Sequence, residues 1–187
     1  MTEEIQFYLS EAEESMQKAV QHTNAELLKI RAGKASPAMV EDLRVDYYGS
    51  QTPISQVANI TTPDARTLMI KPWEKQMVGE IGKAIKNSDL NLNPLVEADG
   101  IRLNIPPLTE ERRRDLVKQV KNETETGKIS IRNIRKDVND SLRKLQKEGT
   151  SEDAVRDAEA KVQKLTDAFI VKIDELLAKK EAEIMTV

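Results

Sequence analysis

All seven prolines of this chain, Pro37, Pro53, Pro63, Pro72, Pro94, Pro106 and Pro107, lie between positions 37 and 107. Inside a helix a proline removes a backbone donor and clashes with the preceding turn, at about 3 kcal/mol. Long helices therefore exclude it, and only the two flanks are open to them. Five of the seven glycines fall between 33 and 107 as well. The chain reads as helix, then a Pro/Gly-rich middle, then more helix.

Apolar spacing agrees with that division. Ile5, Leu9, Ala12, Met16, Ala19, Thr23, Leu27 and Ile30 recur at steps of three and four. Leu116, Val117 and Val120 lead into Ile131, Ile134, Val138, Leu142 and Leu145, and a third seam runs Ala158, Val162, Leu165, Phe169, Ile173, Leu176. Narrow stripes of this kind belong to helix bundles. Thr109 before Glu110 can cap the second helix, and Gly149-Thr150-Ser151 ends it and starts the third. At 1.5 Å per residue, helices of about 30–38 residues reach roughly 45–57 Å, so three of them make a rod. Gly127 inside the second helix costs about 1 kcal/mol against alanine, and reads as a weak point or slight bend.

The middle has a period of two. Leu43, Val45 and Tyr47 alternate with Arg44, Asp46 and Tyr48, and Gly49-Ser50 offers a turn. Thr67 to Lys71 reads as a strand, Met77 to Ile85 as a short helix, and Asp99-Gly100 as a hairpin turn before Ile101, Leu103 and Ile105. This predicts a small α/β domain over 31–107, inserted into a helical domain made of 1–30 and 108–187. The chain crosses twice between them, near 31–36 and 105–108. Gly33, Ser36, Pro37, Pro106 and Pro107 in those crossings are the candidate hinge residues.

Composition excludes several chemistries. With no cysteine, disulfides, thiolate metal sites and cysteine nucleophiles go together. His22 is the only histidine and has no nucleophile or carboxylate placed to make it a base. Neither a Gly-x-x-x-x-Gly-Lys-Ser/Thr loop nor a Gly-x-Gly-x-x-Gly turn occurs, so the usual phosphate cradles are missing and no cofactor is expected. Acidic pairs such as Glu13-Glu14 read as solvated helix faces. No apolar run approaches the roughly 20 residues that span a bilayer, and the acidic start is unlike a secretory signal. The expectation is a soluble, cytoplasmic, non-enzymatic protein, monomeric because its helix faces are well solvated.

The net charge of −3 conceals a segregation. Residues 110–147 hold twelve basic and seven acidic side chains, whereas both flanking helical segments are acidic. Lys128, Arg132, Arg135 and Lys136 share one helical face, with no acid between 128 and 136. Lys121 and Arg143 extend the stripe, and Arg112-Arg113-Arg114 cluster near the helix start. One reading is an ordinary salt-bridged surface. The other is contact with the phosphate backbone of structured RNA, since arginine forks suit phosphate and interleaved aromatics for base stacking are lacking. Residue patterns alone stop at a hinged binder with a basic face, or a helical adaptor or holdase that binds protein helices and no RNA.

Several blocks closely resemble the ribosome recycling factor family. They are Ile30-Arg31-Ala32-Gly33-Lys34-Ala35-Ser36-Pro37, Asp46-Tyr47-Tyr48-Gly49, Arg66-Thr67-Leu68, the run Ile101 to Arg113, the run Ile131 to Asp137, and Val162-Gln163-Lys164-Leu165-Thr166-Asp167. Six blocks in order over essentially the whole chain make the resemblance specific. It implies an α+β fold: an antiparallel three-helix bundle with an inserted small β/α/β sandwich domain, L-shaped. It implies binding to the large ribosomal subunit after termination and, with elongation factor G and GTP, splitting of the ribosome. It also implies contact of Arg132 and Arg135 with ribosomal RNA. Arg31 and Arg113 lie in matching blocks, and with Lys128 and Lys136 they complete the candidate RNA-binding set.

Overall fold

The computed structural model describes residues 2–186, in two compact units: residues up to 31 together with 110–186, and residues 32–109. The fold is α+β, with long helices in the first unit and a small sheet domain in the second.

The first unit consists of α1 (Glu3–Lys29), α3 (Glu110–Lys147) and α4 (Glu152–Met185). Each boundary has a local cause. Thr2 caps α1 by accepting from the Ile5 amide at 3.3 Å, and Ser151 caps α4 by accepting from Ala154 at 3.2 Å. Gly149, at φ 113°, ends α3, while the Thr150 amide bonds back to the Leu145 carbonyl at 3.0 Å. That sharp reversal makes α3 and α4 antiparallel. Ile5, Leu9 and Ala12 pack with Val138, Leu142 and Leu145 and with Val155, Ala158 and Val162. Further along, Met16 meets Ile131, Phe169 and Ile173. α1 therefore runs against α3 and alongside α4, and the residues of all three sequence seams are buried or half-buried.

α3 is continuous through Gly127. The glycine is buried between α1 and α4. A Cβ there would lie 2.3 Å from Thr23 Oγ1 of α1 and 2.9 Å from Ile173 Cδ1 of α4. Thr23 itself is buried, its hydroxyl returned to the Ala19 carbonyl at 2.9 Å. The glycine costs helix propensity and is retained because no methyl group fits.

The second unit has an antiparallel sheet in the order β3 (Ala58–Asp64), β4 (Thr67–Pro72), β6 (Ile101–Asn104), β5 (Pro94–Val96). A separate hairpin joins β1 (Arg44–Tyr47) to β2 (Ser50–Pro53), and α2 (Val78–Lys86) lies between β4 and β5 in sequence. Ile81 and Ile85 of α2 share a core with Val45, Ile54, Leu68, Ile70, Ile101 and Leu103. The β1–β2 turn sits one residue earlier than Gly49-Ser50. Tyr47 pairs with Ser50, so Tyr48 and Gly49 form the loop, at φ 50° and 88°. A two-residue hairpin of this kind needs positive φ at both positions. Asp46 Oδ1 holds the loop by accepting from the Gly49 amide at 2.8 Å.

Among the described residues no helix is long and apolar enough to cross a membrane. Gly127→Ala is expected to destabilise the bundle by about 1–3 kcal/mol through overpacking, against a propensity gain of about 1 kcal/mol. Urea unfolding measures this, and adding Thr23→Ala should recover part of the loss. Net stabilisation by Gly127→Ala alone would mean that the three helices can spread at no cost.

Candidate nucleic-acid interface

α3 positions the basic stripe, and the structure divides it into two rows. The inner row faces α4. Lys121 Nζ lies 3.7 Å from Glu181, Lys128 Nζ 2.5 Å from Asp174, and Arg143 Nε 3.1 Å from Glu159. Between them Arg135 Nη1 donates to the amide oxygen of Gln163 at 3.2 Å. The partners descend α4 as the bases ascend α3, so antiparallel packing aligns the two helices into a charged ladder. Exposed pairs of this type contribute at most about 1 kcal/mol each. Only 18% of the Lys128 side chain is exposed, which makes its pair the most sheltered rung.

The outer row turns to solvent. Arg132 is exposed, and among the described residues it pairs with Glu125 of the same helix, at 3.0 Å. Lys136 is exposed and, among the described residues, has no ion-pair or hydrogen-bond partner. Four bases that look equivalent on a helical wheel therefore differ. Lys128 is neutralised across the helix pair, Arg135 is held by a neutral amide, Arg132 keeps a weak exposed pair, and Lys136 is open.

Arg31 is exposed just beyond the end of α1. With Lys29, Glu26 and Arg112 it lines a groove of about 530 Å³ between the end of α1 and the start of α3. Antiparallel packing thus brings Arg31 beside the Arg112–Arg114 cluster, 81 positions away in the chain. Arg113 is half-buried in the first turns of α3. The candidate hinge residues Gly33, Ser36, Pro37, Pro106 and Pro107 all lie within the second unit. Gly33, at φ 74°, leaves no room for a Cβ, which would stand 2.7 Å from Leu108 Cγ. The Ser36 hydroxyl accepts from the Ala38 amide, with Pro37 opening a single 3₁₀ turn. His22 is exposed on α1, and among the described residues no group of acidic or histidine side chains is placed to hold a metal.

The second unit carries one tight polar cluster that sequence patterns did not reveal. Tyr47 and Tyr48 stand edge to face, and their hydroxyls donate to the two oxygens of Glu74 at 2.6 and 2.7 Å. These hydrogen bonds lower the Glu74 pKa, and they raise those of both tyrosines above the ordinary value. The clasp ties the β1–β2 hairpin to the segment after β4. A depressed carboxyl contributes stability above the ordinary glutamate pKa, about 4.3, and loses it as pH falls through the depressed value. A raised phenol contributes below about 10 and loses it as pH climbs through the raised value. The clasp is thus complete between those limits. In an ultraviolet titration Tyr47 and Tyr48 should ionise later than free tyrosine, and Glu74→Gln should bring both back down. Titration unchanged by Glu74→Gln would sink the assignment.

Fold and surface define a two-unit α+β protein whose concentrated positive charge lies along one helix of a three-helix bundle. The family model described as "Ribosome recycling factor" matches residues 23–185. The chain belongs to the ribosome recycling factor family. The ribosome-recycling factors of Flavobacterium psychrophilum and Flavobacterium johnsoniae are each 58% identical to it, over the full length of both chains. A solution structure of the ribosome recycling factor superposes with a TM-score of 0.74 at 42% identity, covering all of both chains. Models for the T. thermophilus ribosome recycling factor and the E. coli elongation factor G bound to the E. coli post-termination complex match at a TM-score of 0.61 and 46% identity. They cover 99% of this chain and 100% of that one.

Proposed function

We propose that this chain is a cytoplasmic translation factor that recycles ribosomes. It binds the large subunit of the post-termination ribosome and, with elongation factor G and GTP, splits the ribosome into subunits. The chain performs no catalysis of its own and needs no cofactor; GTP hydrolysis belongs to the partner. The observation that supports this most is family membership over nearly the whole chain, joined to a neighbour at 46% identity on a post-termination complex with elongation factor G.

In this reading α3 is the RNA-facing helix. Arg132, Arg135 and Lys136 meet ribosomal RNA phosphates, joined by Arg31 at the end of α1, with Arg113 supporting that end. Lys128 shapes the face from its pair with Asp174 rather than contributing a free charge. Arg132 gives up an exposed pair with Glu125, worth at most about 1 kcal/mol, for a two-pronged contact with phosphate. Four neutralised phosphates predict that log affinity falls with log salt at a slope of about −3 to −4. Filter binding to isolated large subunits over a salt series measures it, and an affinity indifferent to salt would overturn the RNA reading. Light scattering tests the activity itself: it should fall only when chain, elongation factor G and GTP are all present with post-termination ribosomes. Persistence of the signal with a partner from the same organism would refute recycling.

The crossings at Gly33-Ser36-Pro37 and Pro106-Pro107 serve as the hinge through which elongation factor G moves the second unit. Because Gly33 combines a positive φ with close contact to Leu108, a side chain there strains the crossing. Gly33→Val is expected to slow subunit splitting at least about tenfold, a loss near 1.4 kcal/mol of barrier, while changing ribosome affinity much less. Equal loss of both would remove the hinge role.

A further inference from the structure

The block Val162-Gln163-Lys164-Leu165-Thr166-Asp167 has no part in the function as derived so far. Its place in the fold is opposite the basic face. Every other base of the inner row ends on a carboxylate: Lys121 on Glu181, Lys128 on Asp174, Arg143 on Glu159. Arg135 alone ends on a neutral group, the Gln163 amide oxygen at 3.2 Å. Among the described residues no carboxylate lies within ion-pair distance of it.

The amide is itself held. Gln163 Nε2 donates to Asp167 Oδ1 at 2.8 Å, one turn further along α4. A carboxylate accepts only, so it selects the nitrogen end of the amide and turns the oxygen end toward α3. An arginine there finds an acceptor and no formal charge. One of its five N–H donors is used, and the rest of the fork keeps its full charge for a phosphate. A glutamate at 163 would cancel that charge and set a second carboxylate against Asp167.

We propose that Gln163 and Asp167 are positioning residues that orient Arg135 toward an RNA phosphate without neutralising it. This rests on the RNA-facing reading of α3. The relay does at Arg135 what the ion pairs do for the rest of the inner row, with the charge left over.

The test measures binding of the full chain to isolated large ribosomal subunits over a salt series. Gln163→Glu should reduce low-salt affinity about five- to tenfold and make the salt slope shallower by about 0.7–0.9, the signature of one lost phosphate contact. Because the substitution also sets a carboxylate against Asp167, melting is compared with Gln163→Glu in the Arg135→Ala background; a purely structural role would shift melting and leave the slope. In an Arg135→Ala background, Gln163→Glu should change neither affinity nor slope further. Asp167→Ala should weaken binding about two- to tenfold, through the lost preorganisation of Arg135, although it removes a negative charge. Tighter binding by Asp167→Ala would overturn the relay, as would a Gln163→Glu effect that persists undiminished without Arg135. If the wild-type slope is steep and Gln163→Glu leaves it unchanged, the positioning role falls and the RNA reading stands. If the wild-type chain binds with no salt dependence, both fall.

Discussion

At Gly127 the three long helices approach so closely that a single methyl group has no place. Such a contact sets the distance between axes, and it sets the register as well. Slide α3 along its neighbours, and the one residue without a side chain no longer meets Thr23 and Ile173. Interiors packed to crystal-like density do not absorb an error of that size. Once the register is set there, every later rung of the bundle is determined, including which α4 residue stands across from each base of α3. The match of Lys128 with Asp174, and of Arg135 with Gln163, follows from a glycine up to eight positions away on the same helix.

The register also explains how a chain of net charge −3 can present positive charge. Acids on α4 neutralise Lys121, Lys128 and Arg143, and of these Lys128 is the sheltered one. Bases one position further round the helix are left to water. Neutralisation is therefore local and geometric, decided by a fraction of a helical turn. Net charge would have misled here, and so would a bare count of arginines and lysines. The useful quantity is the charge that remains after the internal pairs are subtracted, and the outer row and Arg135 hold it.

Legibility in the sequence varied for identifiable reasons. α1, α3 and α4 could be read to within a few residues because proline exclusion and a step of three to four act over thirty residues at once. Strand β3 was not legible. It is an edge strand, paired only with β4, largely exposed, with Pro63 beside a shift in register between Thr61 and Asp64. An edge strand needs neither alternation nor a full set of donors, so it leaves little trace in composition. The β1–β2 turn was off by one because glycine marks only one of its two positive-φ positions; Tyr48 fills the other. Gly127 could be seen as costly but not as necessary, since the reason lies on α1 and α4. The Tyr47–Tyr48–Glu74 clasp joins residues 26 and 27 apart and has no period to announce it. The candidate RNA face was visible as a stripe, but its division into paired and open bases was not. That division depends on the neighbouring helix, and no reading of α3 alone contains it.

The same division says why a structural ladder and a binding face can share one helix. Ion pairs at the protein surface are worth little in water, because solvent competes for both partners. They can hold a side chain's direction without storing enough energy to oppose a better partner. A phosphate offers a guanidinium two hydrogen bonds and releases counterions as it binds, so it outcompetes an exposed carboxylate such as Glu125. It has no such advantage over Asp174, whose lysine is already sheltered against the α3–α4 seam. Shelter therefore separates Lys128, held against the α3–α4 seam, from Arg132, which stays available to a ligand. Lys128 and Arg132, one helical turn apart on one stripe, can then belong to different parts of the protein's work.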